Sequence, residues 1–291
     1  MNDIRSFPPP ALSSTFFRRA VVDGLSVFYR SAGDPAAPAF VLLHGFPSSS
    51  HMFRDLIPLL ATRFHVIAPD YIGFGHSDAP APEDFEYRFD RLAQVVDGLL
   101  DQLGLDHYHL YMQDYGGPVG MRIATAHPER ILGLVFQNAN AYMEGVSAAA
   151  AEVFLPLWER GEEAGARRML DAGTTRFQYT AGAREPENLN PDAWTHDQAL
   201  LDRPGSAERQ LALFKDYRSN VASYDAWHEW FRKHQPKTLL AWGKGDPFFT
   251  VAGAEAFKRD LKNLEVHYFD TGHFALEEDA FAIAELITRY F

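Results

Sequence analysis

The stretch LYMQDYGGPVG, Leu110 to Gly120, decides the fold. Its first half, together with His109, is apolar and aromatic in the manner of a strand. Its second half places two glycines at the head of a helical run through Met121, Ile123 and Ala124. Asp114 therefore stands on a strand-turn-helix elbow, where small residues let strand and helix approach closely and the turn residue projects from the sheet's upper end. The same turn also reads as an aspartate capping a helix, since Asp is a favoured N-cap. The rest of the chain decides between the two.

A chain of 291 residues with 46% hydrophobic content has ample material for one large α/β domain carrying an insertion. Its net charge is -12 (27 basic against 39 acidic residues), without a Lys/Arg run, which disfavours a nucleic-acid partner. No cysteine is present, so there is no disulfide framework, thiol catalysis or thiolate-bound metal, in keeping with the cytoplasm. The opening MNDIRSFPPPALSS lacks the apolar segment of a secretory signal, and no run reaches the ~20 apolar residues of a membrane span. A cytoplasmic protein without a membrane partner is expected.

Around the elbow, the chain alternates. Asp23-Gly24 between Arg18–Val22 and Leu25–Tyr29 signals a hairpin, after a loose lead-in over residues 1 to 15. Ala39–Leu43 and Phe64–Ala68 are short continuous apolar runs, the mark of strands buried on both faces, with a helix over Met52–Leu60 between them. Asp90–Leu103 has helical spacing, and Ile131–Phe136 is a further buried strand. From about Asn138 helical segments follow without a strand: Ser147–Met169, Pro191–Leu201, Ser206–Tyr217 and Asp225–Lys233. Strands return at Thr238–Trp242 and Val266–Phe269, with helices over Ala252–Lys258 and Glu277–Tyr290. The alternation predicts a mostly parallel sheet with right-handed crossovers, interrupted by a helical insertion.

Gln113-Asp114-Tyr115-Gly116-Gly117 resembles the nucleophile elbow of the α/β-hydrolase superfamily, in its branch of epoxide hydrolases and haloalkane dehalogenases, and the resemblance covers essentially the whole chain. It implies the α/β-hydrolase fold: a mostly parallel eight-stranded sheet flanked by helices, with a core of residues 1–139 and 236–291 and a helical cap over 140–235. Asp114, Asp246 and His273 follow three strands in the order nucleophile, acid, histidine that this family uses. Some relatives carry the acid after the strand preceding the cap. There this chain has Gln137-Asn138-Ala139-Asn140, with Glu144 as the nearest carboxylate, so Asp246 is expected to serve. His44-Gly45-Phe46-Pro47 resembles the HGxP motif, which often has a cis bond before its proline. It implies an oxyanion hole from the Phe46 and Tyr115 N–H groups, and His44 and Pro47 beside the substrate.

The choice of nucleophile narrows the chemistry. An aspartate, with an unperturbed pKa of ~3.9, attacks without a base. Attack on an ester gives a high-energy anhydride, whereas attack on an sp3 carbon with a leaving group gives an ordinary ester. The expected partners are thus water and a small, mostly apolar epoxide or alkyl halide, and the resemblance implies no cofactor and no metal. His273 then activates water against the alkyl-enzyme ester. Epoxide hydrolases of this branch protonate the opening oxirane with two cap tyrosines. Phe214-Lys215-Asp216-Tyr217-Arg218-Ser219-Asn220 resembles the segment around the second, which makes Tyr217 the proton donor. The first has no counterpart where Leu157-Trp158-Glu159 stands, leaving Tyr179 or Tyr142 as substitutes and Trp158 as pocket wall or halide donor. The expected activity is epoxide hydrolysis; haloalkane dehalogenation and ligand binding without turnover are the alternatives.

Overall fold

The computed structural model describes residues 14–291, so the expected lead-in lies, but for its last two residues, outside the described chain. Eight strands build one sheet: β1 (Phe16–Val22), β2 (Leu25–Ala32), β3 (Ala39–Leu43), β4 (His65–Pro69), β5 (Tyr108–Gln113), β6 (Ile131–Gln137), β7 (Thr238–Gly243) and β8 (Leu264–Phe269). Their spatial order is β1-β2-β4-β3-β5-β6-β7-β8. The β1–β2 and β2–β4 pairs are antiparallel and all others parallel. The turn from β1 to β2 holds Asp23 and Gly24 at φ 51° and 80°, the doubly positive pair that a two-residue hairpin demands.

Period-two alternation sorts the core. Phe40, Leu42, Tyr111, Val135 and Leu239 face the helices Leu56–Leu60 and Leu276–Tyr290. Val41, Leu43, Leu110, Met112, Leu134 and Leu240 face the helices Phe89–Gln102 and Gly116–Ala126. Burying each such side chain is worth ~1.5–3 kcal/mol, which makes the central strands the rigid base of the molecule. The strand order reverses direction between β3 and β5, and at such a switch point the carboxyl ends of the strands open a crevice.

The elbow at the end of β5 depends on its glycines. A Cβ on Gly116 would lie 2.1 Å from the Leu43 carbonyl oxygen, and one on Gly120 would lie 2.4 Å from the Met112 sulfur. Asp114 itself sits at φ 47°, a strained left-handed conformation for a residue with a side chain.

Between β6 and β7 the chain is helical: Ala148–Arg160, Ala164–Arg168, Ala172–Thr180, Pro191–Leu201, Ser206–Ala222 and Tyr224–His234. The single helix expected over Ser147–Met169 breaks at Gly161, whose left-handed φ of 71° closes the first segment onto the Leu157 carbonyl. The helix Ala172–Thr180 escapes the sequence pattern, because its buried positions are Thr175, Gln178 and Tyr179. The expected Met52–Leu60 helix is split into the 3-10 turn Ser50–Phe53 and Leu56–Leu60, and the one from Ser206 runs on to Ala222.

The insertion locks onto the core backbone to backbone. A Cβ on Gly182 would lie 1.9 Å from the Gly245 oxygen, and one on Gly272 would lie 2.1 Å from the Ala181 oxygen. These contacts fall on the loops that follow β7 and β8. Among the described residues, no helix is long and apolar enough to cross a membrane.

Candidate active site

Asp114 rises from the elbow, 8% exposed. Its Oδ1 accepts the Phe46 N–H at 2.7 Å, and the Tyr115 N–H also donates to the carboxylate. The first donor comes from the loop after β3, where the Phe46–Pro47 peptide is cis. Gly45 must be glycine for this approach, since a Cβ there would sit 2.3 Å from the Asp114 Cβ. Burial pushes the Asp114 carboxyl upward, while His273 and the two N–H groups pull it back; the net direction is up.

His273 follows β8 and is fully enclosed. Its Nδ1 lies 2.7 Å from Asp246 Oδ2. That carboxylate also accepts from Asn138 Nδ2 (2.8 Å), the Phe248 N–H (2.7 Å) and the Phe249 N–H (3.1 Å). Asp246 thus accepts on both oxygens, which fixes the imidazole with its proton on Nδ1 and its lone pair on Nε2. Burial alone would depress the imidazole pKa, but Asp246, aided by Asp114, reverses the sign and raises it. Gln113 Nε2 lies 2.9 Å from His273 Nε2, so in the neutral imidazole that lone pair receives an amide N–H. Asn138 fills the place where the rival acid would stand, and its Oδ1 accepts the Gly243 N–H at 2.8 Å. Glu144 is at the surface, paired with Arg259, far from this role.

Above the triad lies a cavity of about 60 Å³ that Asp114 and His273 share with Phe46, Tyr115, Trp158, Gln178 and Tyr217. Tyr217 is half-buried, with its phenol hydrogen-bonded to Tyr224, and desolvation first, then Tyr224, Asp114 and Tyr115 raise its pKa well above the ordinary value. Tyr115 is also among the lining residues; its ring packs against Phe46, Phe74, Phe89 and Tyr217, and its enclosed hydroxyl has no hydrogen-bond partner among the described residues. Trp158 stacks parallel on Tyr217 at 6.0 Å, but its indole N–H donates to the Phe214 carbonyl at 2.8 Å. It supplies a wall and has no N–H left for a halide.

Four expected site residues lie elsewhere. Tyr179 points away from the cavity, its ring stacked on Phe274 at 3.8 Å and its hydroxyl on Asp197 Oδ2 at 2.5 Å. Tyr142 stacks on His228 at 4.1 Å and donates to Asp260 at 2.9 Å. His44 lies beneath the loop against Tyr71 at 4.1 Å, its Nε2 accepting the Tyr71 N–H at 3.2 Å, and burial holds it at about 4, hence neutral. Pro47 is buried and shapes the turn without lining the cavity. The residues that the sequence reading passed over are Gln178, the Tyr115 side chain and Asn138 as a donor to the acid. Only Gln178 leaves a trace in the sequence, as a polar residue three positions after Thr175 on one helical face.

An eight-stranded hydrolase sheet with a strained acidic elbow and an Asp–His pair on the two following loops defines an α/β hydrolase. The alpha/beta hydrolase fold family matches residues 38–280, and the chain belongs to it, on the branch that includes haloalkane dehalogenases and epoxide hydrolases. An uncharacterized hydrolase of Saccharomyces cerevisiae is 43% identical over 282 residues, 95% of this chain and 97% of its own. A haloalkane dehalogenase of Bradyrhizobium diazoefficiens is 40% identical over 121 residues, 42% of this chain and 38% of its own. Epoxide hydrolase 4 of Mus musculus is 26% identical over 89% of this chain and 75% of its own. The haloalkane dehalogenase DbeA of Bradyrhizobium elkani superposes with a TM-score of 0.80 and 26% identity, over 95% of this chain and 97% of its own. The protein is a hydrolase.

Proposed function

We propose that this hydrolase is an epoxide hydrolase, working through a covalent ester on Asp114, with residues 1–139 and 236–291 as catalytic core and 140–235 as cap. The observation that carries this reading is a cavity in which Tyr217 shares the wall with the Asp114 carboxylate, while the Trp158 indole N–H is already taken. A carboxylate oxygen of Asp114 attacks an oxirane carbon, the C–O bond breaks, and the alkoxide takes the Tyr217 proton. Burial favours the neutral phenol, so Tyr217 holds that proton until the alkoxide, a far stronger base, appears.

Ester formation removes the Asp114 charge, the smaller of the influences that raise His273 beside Asp246, and so shifts the imidazole toward the neutral form that the next step uses. Nε2 takes a proton from water as hydroxide adds to the ester carbonyl. The oxyanion falls on the Phe46 and Tyr115 N–H groups, which such transition states gain ~2.7–4 kcal/mol from each. Collapse expels the diol, the Asp114 carboxylate is restored, and the imidazolium proton returns to the Tyr217 phenolate. Overall one epoxide and one water become one diol.

Dehalogenation by the same triad is the second reading. It is favoured by the dehalogenase relatives and by the Gln178 amide, an N–H source in the cavity. Incubation in ¹⁸O water separates the two. Under single turnover an epoxide hydrolase leaves the label in Asp114 and releases an unlabelled diol. Chloride or bromide release from haloalkanes, without diol from any epoxide, sinks the epoxide reading.

A further inference from the structure

The helix Ala172–Thr180 turns a polar face inward: Thr175, Gln178 and Tyr179 are its buried residues. A buried polar group without a partner costs ~1–3 kcal/mol, so each of these side chains calls for an acceptor or donor. Thr175 donates to the Gln198 side-chain Oε1 at 2.6 Å, and Tyr179 donates to Asp197. Gln178 is 2% exposed and its Nε2 has no partner among the described residues. The same side chain lines the cavity above Asp114.

Its neighbours in the chain pack around the catalytic loop. Phe177 meets Phe248 at 6.4 Å, and Phe248 meets His273 at 5.8 Å; Tyr179 stacks on Phe274, the residue after His273. Tyr217 packs against Tyr115, Phe89 and Trp158. Gln178 and Tyr217 are thus two polar side chains in a lining that is, beside Asp114, His273 and Tyr115, apolar.

We propose that Gln178 is a specificity-determining residue that donates an N–H to an oxygen in the substrate's substituent, so that the preferred substrates are glycidyl-type epoxides rather than plain alkyl epoxides. This rests on the epoxide reading of the same site. The oxirane oxygen goes to the Tyr217 phenol, and a second oxygen answers the amide. A cavity of about 60 Å³ admits only a small substituent, which keeps that second oxygen close to the ring, as in a glycidyl ether. An all-carbon substituent leaves the amide unsatisfied, and a site built to bind an oxygen discriminates against its absence far better than an apolar wall discriminates by shape.

Glycidyl methyl ether and 1,2-epoxypentane differ by one oxygen in place of one methylene and make the test. The measured quantity is the ratio of their kcat/KM values, in wild type and in Gln178→Met. Because both values come from one preparation, the ratio is insensitive to the folded fraction of the variant. The expected result is a ratio lower in the variant by about tenfold or more, carried mainly by KM of the ether. A ratio that stays within about twofold overturns the assignment while leaving epoxide hydrolysis intact. If neither epoxide yields a diol, the proposed reaction falls, and Gln178 is judged by binding alone. Calorimetry then compares 3-methoxypropane-1,2-diol with pentane-1,2-diol on both proteins: a preference for the former that vanishes in Gln178→Met upholds the assignment, and equal affinities in wild type overturn it.

Discussion

Asp114 combines a left-handed backbone, a buried charge and two amide donors, each of which has a stability consequence. Its carboxyl is raised above the ordinary value, so the folded protein holds its proton more tightly than the unfolded chain does. That contribution is complete below the unfolded value and is lost as pH rises through the folded one. Asp114→Asn keeps an oxygen for the Phe46 N–H and removes the charge. It should abolish turnover by at least about 10⁴-fold yet raise Tm at pH 8, as measured by calorimetry; a lower Tm would show that the carboxylate is a net stabiliser. His273, raised as well, must be neutral to activate water, whereas ester formation needs only the ionised nucleophile. Mass spectrometry of enzyme quenched at pH 5.5 should find the alkyl-enzyme adduct accumulated, and at pH 8.5 largely absent. Asn138→Asp sets a second carboxylate against Asp246 Oδ2, now 2.8 Å from the Asn138 amide. Loss of about 10–100-fold in the hydrolytic step is expected, with ester formation less affected.

At the scale of elements, the glycines test how the insertion is seated. Gly161 and Gly182 have nearly the same φ, 71° and 74°, but a Cβ on Gly161 meets nothing within 4 Å, whereas one on Gly182 meets the Gly245 oxygen. Gly161→Ala should therefore cost only the backbone term of about 1 kcal/mol. Gly182→Ala should cost at least about 2 kcal/mol and also lower kcat, because the displaced loop carries Asp246. Equal losses in denaturant titrations would mean that the close approach is easily relieved.

The same scale explains what could be read in advance. The sheet was legible because its strands are short apolar runs ending in turn residues, and the placement of Asp114, Asp246 and His273 followed from those strand ends. The insertion was legible as helices but not as faces. Tyr179, expected as a cap phenol, is one residue from Gln178, which lines the cavity, and one residue on a helix is a rotation of about 100°. The helix that holds both has too few buried apolar positions for its face to be read. Asn138 was weighed only as a missing carboxylate, since nothing local to β6 announces a donor to a loop more than a hundred residues away.

For the whole molecule, buried titratable groups fix the response to pH. His44, His51 and His109 are depressed, chiefly by burial, to about 4, 3 and 4. Each stays neutral in the fold while the unfolded chain takes up a proton near 6.5, so their contribution is complete above that pH and fades as pH falls toward 4. Asp197 runs the other way. Burial holds it at about 7 between Tyr179 and Ser48, so its contribution is complete below about 4 and lost as pH rises through 7. Tm should therefore peak on the mildly acidic side of neutrality. Asp197→Asn, with its amide oxygen still available to Tyr179, should flatten the decline between pH 6 and 8 in thermal scans. An unchanged slope would mean that Asp197 is ionised in the fold at both pH values.

The helical insertion separates the chain's chemistry in time as well as in space. On the epoxide reading, the nucleophile Asp114 precedes β6, the proton donor Tyr217 lies in the insertion, and the pair that would activate water, Asp246 and His273, follows β7. As the ribosome makes the protein from its N-terminus, the group that can be alkylated is complete while the group that could rescue it is still unsynthesised. A reactive epoxide that met the growing chain in that interval would leave a scar, and a protein population labelled at Asp114 would record how fast the second half folds onto the first.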